Sequence, residues 1–219
     1  MMKKRLVALA LMLLALLVST VLVQAQEVSQ FEEELHYFSI IPEQPGGEGD
    51  RVQVVEFFWY ACPHCYQLEP HLNKWLEKKP DNVDYVSIPA MFNRPNVIMH
   101  AKTFYALKLM GLAEQLHDKI FSAIHTDNMK LNTQEEMESF LASQDVDIEA
   151  YRKAMKSFAV QTQARRAAVL AERFDIRGVP AIVVDGKYRT GGLEGNLMMQ
   201  VTDYLIDRAR EEKGAKSQQ

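Results

Sequence analysis

Between residues 52 and 88 the sequence reads strand, helix, strand, and no other feature constrains the fold as tightly. Val52–Phe58 (VQVVEFF) is β-branched and aromatic, as a buried central strand requires, with Glu56 the one exception. Apolar residues at Cys65, Leu68, Leu72, Trp75 and Leu76 then mark a helical stripe over residues 61–79, which Pro80 ends. Residues 83–88 form a second strand of the same kind. Such a βαβ unit makes its two strands parallel, joined by a right-handed crossover.

The remaining segments arrange themselves around that unit. Residues 36–41 read as a short strand, and residues 42–50, rich in Gly and Pro, as a loop. From about residue 96 to 174 the pattern is helical nearly throughout. Gly111 breaks the first helix, Thr133 and Glu136 form a capping box, and Asp147 caps a further helix. Strands resume at residues 181–184 and 187–190, and Asp185-Gly186 between them predicts a type I′ hairpin turn. An amphipathic helix over residues 196–212 follows, with a frayed tail expected after Lys213. The order βαβ, helices, ββα predicts an α/β fold with one mixed central sheet, assembled from two halves around an all-helical insert.

Lys3, Lys4 and Arg5 precede an apolar run over residues 6–23, which ends in Val23-Gln24-Ala25. This pattern predicts a signal peptide at residues 1–25, cleaved after Ala25, with an uncleaved anchor as the alternative. Either way the globular part is exported, to a compartment where disulfide chemistry persists. The 25 bases and 29 acids give a net charge of −4, and loss of the three leader bases makes the balance more acidic. Nucleic-acid binding gains no support from it. Composition is that of an ordinary globular protein, with 47% hydrophobic and 25% charged residues, so collagen-like and wholly disordered readings fall.

The chain has two cysteines, three positions apart, in Cys62-Pro63-His64-Cys65 at the junction of the central strand and the helix. Unpaired N–H groups and the macrodipole of the helix N-terminus stabilise a thiolate at Cys62. His64 adds a hydrogen-bond donor or a positive charge. Pro63 fixes φ in the first turn without giving up a needed donor. Cys65, one turn below, is placed to close a small disulfide ring. Cys62 is therefore expected to be the exposed, acidic attacker and Cys65 the sheltered resolving thiol. Stabilising the thiolate stabilises the reduced form, so the disulfide becomes a strong oxidant.

Bland readings fare worse. Two inert core cysteines would not need Pro-His between them. A zinc site wants about four ligands, and His36, His71, His100, His117 and His125 supply no matching spacing, so no metal is expected. A c-type haem needs His directly after the second Cys, where Tyr66 stands.

CPHC preceded by EFFWYA and followed by YQLE, together with RGVPA at residues 177–181, resembles the DsbA family of bacterial periplasmic thiol–disulfide oxidoreductases. That family is the reference case of an acidic cysteine in an oxidising dithiol. The resemblance implies a thioredoxin fold: a first half at residues 26–92, a helical insert at 93–160 and a second half at 161–219. It also implies a periplasmic monomer with no cofactor beyond the Cys pair, which oxidises newly exported, unfolded or partly folded proteins and is reoxidised by a quinone-linked membrane oxidase of the DsbB type. Val179-Pro180 would be the cis-proline loop facing the cysteines, with the Val179 backbone pairing with an extended substrate segment. Glu56 would be a buried acid assisting proton movement at Cys65. The lysine that usually accompanies it has no counterpart between residues 81 and 92. Glu69 matches a family acid near the catalytic face, although a solvated helix acid is an equal reading. Trp59 and Tyr60 would line a substrate surface, and Met91, Met99 and Met110 either a peptide groove or the core.

Two rivals use the same residues. A disulfide isomerase or reductase would keep the motif reduced, but such isomerases usually carry a dimerisation domain, for which residues 26–50 are too short. A holdase-like chaperone would bind unfolded chains with the cysteines incidental, and the Pro-His dipeptide argues against it.

Overall fold

The central strand β2 (Val52–Phe58) has six of its seven residues buried, because both faces of the sheet at that point are covered by helices. The computed structural model that shows this describes residues 30–217; the expected signal peptide lies outside them. Helix α1 (Pro63–Leu76) returns the chain to β3 (Val83–Pro89), which pairs parallel with β2 in the register Val54 opposite Tyr85 and Glu56 opposite Ser87. Five helices follow: α2 (Pro95–Leu109), α3 (Ala113–His125), α4 (Gln134–Ser143), α5 (Ile148–Lys156) and α6 (Phe158–Arg173). The hairpin β4 (Ala181–Val184) and β5 (Tyr188–Gly191) then adds antiparallel to the other side of β2, and α7 (Gly195–Ser217) packs back on it. With β1 (Phe38–Ser39) on β5, the sheet order is β1-β5-β4-β2-β3, a mixed sheet with one parallel pair. This is the α/β arrangement the residue order predicts.

Strand alternation sends residues to two cores. Val52 and Val54 meet Leu68, Leu72 and Trp75 of α1 and Val201, Leu205 and Ala209 of α7. Val55 and Phe57 meet the other cluster, which takes in Phe104, Tyr105, Phe121 and Ala167 of the intervening helices. Among the described residues no helix is long and apolar enough to cross a membrane.

Several local signals behave as their chemistry demands. Thr133 and Glu136 form the reciprocal capping box, and Asp147 accepts from the Ala150 N–H at 3.0 Å. Asp185 and Gly186 both have positive φ, and the Lys187 N–H returns to the Val184 carbonyl, as a type I′ turn requires. Three elements differ most from expectation. The strand expected over 36–41 shrinks to Phe38–Ser39, between a left-handed Glu34 and the prolyl bond at Ile41–Pro42. Helix α1 stops at Leu76, not residue 79: Pro80 disfavours helical geometry at Lys79, and the Glu77 and Lys78 N–H groups close the end on the Asn73 and Trp75 carbonyls. The tail expected to fray after Lys213 is helical to Ser217. Lys213 donates to the Gly47 carbonyl at 2.6 Å and reaches Asp185 at 3.2 Å, while Glu212 pairs with Lys187 at 2.7 Å.

Candidate active site

Cys62 is the N-cap of α1, with Pro63 in the first helical turn. Its Sγ accepts the Cys65 backbone N–H at 3.3 Å and its thiol donates to the Val179 carbonyl, also at 3.3 Å. Val179–Pro180 is a cis peptide, and β4 follows it at Ala181; its Val179 carbonyl reaches Cys62 from 117 residues further along the chain. Cys62 is not the exposed group anticipated: it is 6% exposed, because the Val179 carbonyl and the surrounding apolar cluster cover it. Cys65 lies deeper, at 0%. The two sulfurs are unbonded thiols.

Their acidities diverge. A hydrogen bond from the Cys65 thiol does most to pull Cys62 down, to about 6, against the opposing effect of burial. The backbone N–H groups of Cys65 and His64 and the His64 charge add to it. Burial pushes Cys65 far up, reinforced by its hydrogen bond to Cys62 and by negative charge on Cys62 and Glu56. The His64 ring is exposed and turned to Gln67, 3.3 Å away. It reaches Cys62 through its main chain and its charge, not through an imidazole hydrogen bond.

Below the cysteines lies a cluster the sequence showed only in part. Alternation places Glu56 on the face of β2 that carries Val52 and Val54, and the parallel register puts Tyr85 and Ser87 of β3 beside it. Glu56 is 0% exposed. Tyr85 donates its hydroxyl to one Glu56 oxygen, and Ser87 donates to Tyr85 at 2.9 Å. Tyr85 thus supplies a hydrogen bond to Glu56 where residues 81–92 carry no lysine. Burial, with Glu69 adding negative charge, pushes Glu56 up to about 7, while Tyr85 and His117 work against the shift.

Glu69 is not the solvated helix acid that was one of its two readings. It is 6% exposed, because it lies one turn beyond Cys65 on the inward face of α1. That spacing is the signal that could have found it. Its Oε1 lies 3.6 Å from Nε2 of His117, on α3. Tyr60 points inward, so it lines no substrate surface; its hydroxyl meets His117 Nδ1 at 3.2 Å. His125, two turns further along α3, hydrogen-bonds the Tyr60 carbonyl at 2.8 Å. Trp59 donates to Nδ1 of the buried His100, whose Nε2 bonds the Leu131 carbonyl, so two histidines of the inserted helices and a third by way of Trp59 grip the turn before Cys62. Met91, Met99 and Met110 pack against the larger core.

A dithiol at the start of the helix that follows the central strand, set against a cis-proline in a thioredoxin fold, defines a thiol–disulfide oxidoreductase. Residues 53–207 match the family model of the DSBA-like thioredoxin domain. The chain is 42% identical over 194 residues to the thiol:disulfide interchange protein DsbA of Azotobacter vinelandii, covering 85% of this chain and 89% of that one. It is 38% identical over 175 residues to the protein of the same name from Burkholderia cepacia, covering 78% and 82%. The crystal structure of Pseudomonas aeruginosa DsbA superimposes with a TM-score of 0.78 at 36% identity, over 84% of this chain and 97% of that one. The chain belongs to the DsbA family.

Proposed function

We propose that the protein donates its Cys62–Cys65 disulfide to newly exported proteins. The observation that carries this is the unequal placement of the two thiols: Cys62 caps α1 and accepts the Cys65 N–H at 3.3 Å, while Cys65 is fully buried beneath it, so Cys62 is pulled down to about 6 and Cys65 pushed up. A reduced form so stabilised makes the disulfide the less stable partner, and electrons flow into the pair. In the reaction, a client thiolate attacks Cys62 Sγ, the S–S bond breaks, and its electron pair goes to Cys65 Sγ, which takes up one proton. The client's second thiol loses its proton and attacks the client sulfur of the mixed disulfide, and Cys62 leaves as a thiolate. Two client protons are released in all; one ends on Cys65, the other in solvent.

Each site residue has a part in this reading. Cys62 is the electrophile and leaving group, Cys65 the resolving thiol, and Pro63 and His64 the groups that favour the thiolate. Glu56 assists proton movement at Cys65. The Val179 main chain, already within reach of Cys62, pairs with an extended client segment as an added strand, and Pro180 offers no N–H to compete for the thiolate. The thioredoxin halves at 26–92 and 161–219 hold the chemistry, and the helices of 93–160 cover it. After loss of residues 1–25 the monomeric protein works in the periplasm, and a quinone-linked membrane oxidase of the DsbB type takes its electrons.

Equilibration of the mature protein with glutathione buffers tests the reading. A reduction potential well above the glutathione couple is expected, with Cys65→Ala accumulating mixed disulfides with clients. A potential as low as that of a cytosolic thioredoxin would overturn it in favour of a reductase.

A further inference from the structure

Among the described residues, the charge facing Glu69 inside the cluster beneath the cysteines is not a permanent one. His117 comes from α3, outside the strands and helix that carry the thiols, and places Nε2 3.6 Å from Glu69 Oε1. Its ring is held edge-on by Phe58, Phe104 and Phe121, at centroid distances of 5.0, 6.1 and 5.2 Å. Its other nitrogen meets the Tyr60 hydroxyl, which donates to a neutral imidazole and accepts from a protonated one. The site therefore accommodates both states of the ring without rearrangement.

We propose that His117 is a positioning residue of this reaction: a titratable counter-ion, held against Glu69, that governs how tightly Glu56 holds its proton, and so how readily Cys65 acquires one when the disulfide opens. The proposal rests on the disulfide-donor reading above. Two like charges in low dielectric resist joint ionisation, and a nearby cation relieves that resistance. With His117 charged, the Glu56 carboxylate is favoured as the anion. As His117 loses its proton, Glu56 binds its own more tightly. Glu56 and His117 therefore titrate as a linked pair, with the Glu69 charge acting on both. Glu56 lies near enough to Cys65 for its charge to act on the thiol, so proton occupancy here is felt at the reacting sulfur.

The other groups around His117 do not take over its part. Lys108 of α2 lines the same cavity of about 670 Å³ as Tyr85, Ser87 and His117, but no contact joins it to either carboxylate among the described residues. Asp118 and Glu114, on α3 itself, are exposed. Burial works against a His117 cation, yet the contact with Glu69 and the charges of Glu69, Glu56 and Asp118 outweigh it, and the ring holds its proton more tightly than an ordinary histidine.

The test is the infrared carbonyl band of the buried Glu56 carboxylic acid, followed against pH in the reduced mature protein. His117→Gln and His117→Phe, the second preserving the aromatic packing, should both move its loss to higher pH by about one unit. Glu69→Gln should move it lower. Unchanged titration in both His117 variants, or a shift of all three variants in one direction, would overturn the proposal. In the unsubstituted protein, the His117 ring resonances should titrate above the usual histidine range, and Glu69→Gln should lower that midpoint; a ring that does not titrate between pH 5 and 9 overturns the proposal without recourse to His117 variants. No client or membrane partner enters these measurements, so they succeed or fail apart from the reduction potential that decides the donor reading.

Discussion

At the scale of single residues, the chemistry comes from unequal treatment of two identical side chains. Cys62 receives two backbone N–H groups and a thiol hydrogen bond at a helix N-terminus, whereas Cys65 is buried one turn below. The sign of the consequence follows. A thiol whose folded pKa falls from 9 to about 6 is a thiolate through neutral pH and a thiol below that. Alkylation of the reduced protein by iodoacetamide should therefore stay nearly constant from pH 8 to 7 and fall about tenfold per unit well below pH 6, with Cys62 alone modified. A midpoint near that of a free cysteine would show that the helix terminus does not act on Cys62. Cys62 and Cys65 were legible because CPHC at a strand–helix junction has few other uses. Glu56 was legible as an anomaly in an apolar strand. His117 was not: one polar residue on an amphipathic helix carries no mark of whether it faces solvent or a carboxylate that is distant in sequence.

At the scale of elements, the site depends on turns that return each piece to the right place. The β4–β5 hairpin brings Val179 to the cysteines, and its turn is held by Asp185, which accepts the Gly47 N–H at 2.8 Å. Gly186 has φ of +68°, and a Cβ there would come within 2.2 Å of the Gln44 carbonyl. Gly186→Ala should cost about 1–3 kcal/mol in denaturant unfolding, from left-handed strain together with backbone collision; a loss below about 0.5 kcal/mol would show that the loop simply moves aside. The I′ turn, the capping box and the βαβ unit were readable because each is local chemistry at fixed spacing. Element ends were less so. The last turns of α7 are secured by Gly47, Asp185 and Lys187, which no inspection of the tail alone reveals.

At the scale of the whole molecule, the inserted helices are part of the site. Through His117 and His125, and through His100 by way of Trp59, they hold both the turn before Cys62 and the acid beneath it. Because a favoured thiolate stabilises the reduced protein, the usual order of disulfide stability should invert: the dithiol form should melt above the disulfide form at pH 7–8. The gap should close as pH falls through about 6, where Cys62 regains its proton. An oxidised form that melts higher at neutral pH would contradict the direction of electron flow assigned above. That a run of helices separates β3 from β4 could be read from the order of strand and helix patterns, but the contacts those helices make with the site could not. There is also a consequence in time. Synthesis proceeds from the N-terminus, so Cys62 emerges long before Val179, its partner 117 residues downstream. The reactive cysteine thus spends its early life without the wall that completes its site, and the protein becomes competent only once nearly all of it has been made.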